Sequence, residues 1–73
     1  MNSDRERAHL AQSERHIAEC KAHIARQREV IAELRIEDHE ADIAESMLYA
    51  LEGSLRALES HRDLIRERLK SER

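Results

Sequence analysis

Four side chains in this sequence have the types and spacing to do chemistry. His16, Cys20 and His23 follow one another at i, i+4 and i+7, which lays them along one stripe of a helix. Imidazole and thiolate are good ligands for zinc, copper or iron, and the interior of a helical bundle is a common setting for them. His61 joins the set if the chain folds back on itself. Specific signatures are missing, however. The sequence holds no pair of E-x-x-H units, no C-x-x-C and no C-x-x-C-H for covalent haem. A bundle that binds a transition metal or haem through His16, Cys20, His23 and His61 is therefore the alternative reading. The plainer one is that these histidines cover apolar surface with a polar edge and that no cofactor is needed. Cys20 likewise reads as a small buried hydrophobe. A catalytic thiol needs a cleft and an activating neighbour, so no enzymatic activity is expected.

The elements that must carry these residues are legible in the composition. The chain has 73 residues with no Pro, Trp or Phe, one Gly, one Tyr and one Cys, and 40% of it is charged. Sandwiches, barrels and doubly wound sheets need many turns, and Pro and Gly supply most turn chemistry. What remains is an all-α chain. No stretch approaches the roughly 20 apolar residues of a membrane span. The first residues do not have the charged-then-apolar build of a signal peptide. A single Cys suits a reducing compartment, so a cytoplasmic location is expected.

Heptads order the first half. Read in sevens from His9, the sequence gives HLAQSER, HIAECKA, HIARQRE and VIAELRI. Leu10, Ile17, Ile24 and Ile31 take position a, while Ser13, Cys20, Gln27 and Leu34 take position d. His9, His16, His23 and Val30 share position g. A seven-residue period keeps one helix face toward a partner. In the second half, Leu48, Leu55, Arg62 and Leu69 fall at a, and Ala44, Leu51, Leu58 and Ile65 at d. This register leaves Gly53 on the solvent side. It also puts Arg62 in a polar layer with Ser13 and Cys20, a device that fixes register in helical pairs.

Between the halves, Ile36–Asp42 interrupts both registers and holds four acids. It lacks the alternating oxygens and bend glycine of a calcium loop. Asp38 suits a left-handed or capping conformation, and Asp42 with Glu45 fits a capping box. The expected fold is an antiparallel two-helix hairpin spanning 1–73 as one domain, with helix one over about 5–36, a turn over about 37–41 and helix two over about 42–70.

Charge supports that topology. In an antiparallel pair, e positions face e positions. With the turn near His39 the facing pairs are Glu14 with Arg66, Lys21 with Glu59, Arg28 with Glu52, and Arg35 with Glu45. All four are opposite in sign. The facing g pairs are Val30 with Met47, His23 with Ser54, His16 with His61, and His9 with Arg68. A hairpin this small needs staples or partners, and no disulfide is available. Helix two carries surplus apolar surface at Ile43, Met47, Ala50, Ala57 and Leu64. Pairing that surface with a second copy gives a coiled-coil-like four-helix bundle, so a homodimer is the expected partner state. Another protein is the next expected partner. Nucleic acid is not expected, because the net charge is −3 and no aromatic accompanies the basic residues. The expected function is a small, self-associating, non-enzymatic interaction or scaffold protein. A nucleic-acid-associated regulator is the weakest of the alternatives.

The segments HIAECKAHIARQREVIAEL and AESMLYALEGSLRALESHRDLI resemble a group of short alphaproteobacterial, chiefly rhizobial, helical-hairpin proteins without an assigned activity. The matching residues are His16-Ile17-Ala18, His23-Ile24-Ala25-Arg26-Gln27 and His39, over roughly residues 8–69. Asp38 stands where that group usually has glycine. The resemblance implies a bacterial cytoplasmic protein and supplies no catalytic residues.

Overall fold

The computed structural model describes the backbone of residues 2–71 and the side-chain environments of residues 3–71. It is a helical hairpin: α1 spans Asn2–Ile36 and α2 spans Asp42–Ser71. Helix one begins earlier than the heptads indicated. Asp4 sits in its first turn, where a carboxylate offsets the positive end of the helix dipole. The molecule measures 56 × 14 × 12 Å with a radius of gyration of 16.7 Å, against about 11 Å for a compact domain of this length. No helix among the described residues is long and apolar enough to cross a membrane.

The turn closes α1 with a Schellman arrangement. The Asp38 amide donates to the Arg35 carbonyl at 3.1 Å, and the His39 amide donates to the Leu34 carbonyl at 2.8 Å. This geometry needs one left-handed residue, and Asp38 supplies it with φ of 58°. An L-residue other than Gly is strained there, although Asp tolerates the region better than most. Its carboxylate also faces the negative end of the α1 dipole. Replacing Asp38 with Gly is therefore expected to stabilise the hairpin by about 0.5–1 kcal/mol. A chemical-denaturation midpoint unchanged or lowered in Asp38→Gly would contradict this account of the turn.

The capping box expected at Asp42 and Glu45 does not form. The Glu45 amide donates to the Ala41 carbonyl at 2.8 Å, so Ala41 takes the N-cap position one residue earlier. Glu45 turns its carboxylate to Arg35 instead. Packing explains the shift. Ala41 is buried with Ile31 and Ala44, and Leu34 and Leu48 pack around them. Ala has no capping side chain, but its small methyl lets the chain enter α2 close against Ile31.

The core is a thin seam. Ile17, Cys20, Ile24 and Ile31 of α1 are buried, as are Ala41, Ala44 and Ile65. Stiff β-branched side chains at position a of α1 thus fill the space between the helices. The leucines of α2 at positions 48, 51, 55, 58 and 69 are only half-buried. Gly53, expected on the solvent side, is half-buried too.

Candidate functional site

The four candidate ligands do not converge. His16 and His61 line one groove of about 450 Å³, together with Glu6, His9, Gln12, Ser13, Leu58 and Arg68. Cys20 lies in the seam, where its thiol donates to the Leu51 carbonyl at 3.5 Å. His23 is exposed and lies outside the groove. The reason is helical geometry. Four residues advance the helix by a full turn plus about 40°, which turns Cys20 inward and leaves His16 at the edge. Among the described residues, no group of three or more His, Cys, Asp or Glu side chains is arranged to hold a metal ion.

On the opposite edge, three of the facing e pairs are ion pairs. Arg35 Nη2 lies 2.8 Å from Glu45 Oε2, Arg28 Nη2 lies 3.2 Å from Glu52 Oε2, and Arg66 Nη2 lies 3.2 Å from Glu14 Oε1. Partners on α2 rise in number as those on α1 fall. Lys21 and Glu59 form no ion pair. Glu52 also borders the surface between Lys21 and Arg28, so it serves the arginine on this stretch. These contacts are exposed, and each contributes only about 0.2–1 kcal/mol. A double-mutant cycle on Arg28→Glu and Glu52→Arg is expected to give a favourable coupling within that range that fades in high salt. Zero coupling at low salt would show that the pair plays no part in holding register.

Three polar features lie outside the reading of the sequence. Glu6 is half-buried between Arg68 Nε, at 3.4 Å, and His9 Nδ1, at 3.9 Å. His9 and Arg68 were expected to face one another directly; the carboxylate stands between them. Extending the d column back one heptad from Ser13 reaches Glu6 and would have exposed it. Gln27 donates from Nε2 to the Ala44 carbonyl at 2.9 Å, tying the middle of α1 to the first turn of α2. Ser13 is buried with no hydrogen-bond partner for its hydroxyl. Arg62 was expected to fill a polar core layer. It is half-buried and carries its guanidinium out to Asp63, with Nε 3.0 Å from Oδ1, as long cationic side chains commonly do.

The outer side of α2 exposes an apolar surface. Ile43 is 79% exposed and Leu64 61%, with Met47 exposed beside them. Ala50 and Ala57 lie exposed on the same side. Ile43, Met47 and Ala50 line a shallow depression of about 350 Å³ with Asp42 and Ser46. Ile36 and Tyr49 add exposed apolar area that the heptads had not marked. Ile36 lies at position f of α1, away from the seam.

Comparison with protein-family models, with curated proteins and with solved structures gives no match. The likeness to the rhizobial group therefore rests on the quoted residues alone.

Proposed function

We propose that this chain is a small, non-enzymatic interaction protein: an antiparallel helical hairpin that self-associates through the outer side of α2, two copies closing into a four-helix bundle. The observation that carries the reading is the exposed apolar row of Ile43, Met47 and Leu64 on a helix whose inner seam is already used. Soluble monomers rarely leave such rows uncovered, and contiguous apolar surface marks interaction sites. The second helix thus presents two faces, one for its own hairpin and one for a partner. The separation of Cys20 from the histidines supports a binding role over a chemical one. A cytoplasmic setting fits a thiol that stays free.

Light scattering on the untagged protein at about 100 µM tests the reading. The expected mass is twice the 8.6 kDa of one chain. A mass of one chain at that concentration would overturn it.

A further inference from the structure

We infer that mild acid switches off the self-association of this chain and that the imidazole of His61 is the group that responds; this rests on the self-association proposed above. The surface proposed for that contact steps along α2 by alternately four and three residues, from Ile43 and Met47 to Ala57 and Leu64. The same steps place His61 between Ala57 and Leu64, four residues after one and three before the other. Leu64 is 61% exposed, and His61 is exposed beside it. A second copy that covers Leu64 on this face therefore takes His61 out of water with it.

Imidazole changes charge between pH 5 and 8. The neutral ring tolerates burial once it is hydrogen-bonded, whereas a buried imidazolium needs a counter-charge. Among the described residues, the hairpin offers His61 no free one. Within one turn on its own helix lie Ala57, Leu58, Leu64 and Ile65. Glu59 and Asp63 are two residues away and do not share its face; Asp63 is also held by Arg62 and Arg66. The ionisable groups that line the groove with His61 are Glu6, His9 and His16 of α1 and Arg68 of α2. Glu6 is already engaged, 3.4 Å from Arg68 Nε and 3.9 Å from His9 Nδ1. Glu19 stands one turn from His16, outside the groove. Protonation of the three histidines leaves the groove with four cations to one carboxylate.

The same face of a second copy brings no remedy, because the stripe from Ile43 to Leu64 contains no Asp or Glu. Asp42 borders it at the tip, beside Ile43, about 28 Å along the helix from His61. Glu67 borders its other end and lies 3.9 Å from Lys70. The neutral ring is thus the form that associates. Association that requires a deprotonated group is complete above the imidazole range and weakens as the pH falls through it.

Sedimentation velocity at about pH 7.5 and about pH 5.5, at constant ionic strength, is the test. The dissociation constant is expected to rise at least about tenfold on acidification. His61→Gln, which has no titratable ring, is expected to lose most of that change. His39→Gln, in the exposed turn and away from this face, is expected to keep it. Circular dichroism at both pH values reports whether the helices persist; their loss at the lower pH would assign the effect to folding and overturn the inference. A dimer equally tight at both pH values also overturns it, as does acid weakening that survives in His61→Gln or vanishes in His39→Gln. Each of these results leaves self-association intact. A single-chain mass at about pH 7.5 overturns both.

Discussion

Replacing Ile65 with Ala is expected to lower the stability of the hairpin by about 3 kcal/mol, a large share of what a chain of this length holds. Ile65 is the most buried side chain, at 1% exposure. Among the described residues it is also the one fully enclosed anchor on the outer half of α2, far from the turn. Removing its branched end leaves a cavity that two rigid helices cannot close easily, so the cavity cost adds to the lost burial. Its neighbour Leu64 makes the comparison sharp. Leu64 is 61% exposed, so Leu64→Ala is expected to change the stability of the isolated hairpin by no more than about 0.5 kcal/mol. Urea denaturation of both variants at low protein concentration checks the pair. Equal effects would mean that the inner and outer faces of α2 are assigned wrongly.

The second large effect concerns association. Placing Asp at both Ile43 and Met47 is expected to weaken self-association by a factor on the order of ten thousand or more while leaving the helices formed. Each of these side chains would appear twice in a symmetric dimer, and burial of each is worth about 1.5–3 kcal/mol. Their replacement also desolvates carboxylates at the interface. Helix α2 tolerates the change because Ile43 lies in its first turn, where acids oppose the dipole favourably. Sedimentation velocity on the double variant, with circular dichroism as the folding control, gives the answer. Association as tight as in the unsubstituted protein would place the interface elsewhere.

The buried isoleucines of α1 were legible in the sequence because a seven-residue period and a β-branched side chain carry the same message. Asp38 was legible for another reason. A hairpin turn without Gly or Pro must still find one left-handed residue, and few residue types accept that role. The N-cap of α2 was not legible. Capping chemistry pointed to Asp42, yet burial of Ala41 against Ile31 outweighed it. Local propensity yields to packing at such junctions. Gln27 illustrates a different limit. Its heptad position marks it as a polar residue in the seam, but its partner is a backbone carbonyl, which every residue carries and no pattern singles out. Lys21 and Glu59 show that opposite charges at facing positions do not ensure an ion pair.

The histidines follow from the same geometry. Position g puts them at the edge of the seam, so His9, His16 and His61 border a groove. Cys20, one position further around the helix, turns inward. Spacing alone had made these residues a possible ligand set. The 40° between neighbouring stripes, small on a helical wheel, separates them in space.

Thermal melting at two concentrations tests most directly whether self-association stabilises the fold of this protein. Raising the concentration from about 1 to about 100 µM favours a dimer by up to about 2.7 kcal/mol. For a chain of this length, that is expected to move the melting midpoint upward by 5 °C or more. The Ile43→Asp/Met47→Asp variant is expected to melt at the same temperature at both concentrations. Superimposable melting curves for the unsubstituted protein would contradict the account, because a second copy would then add nothing to the stability of the fold.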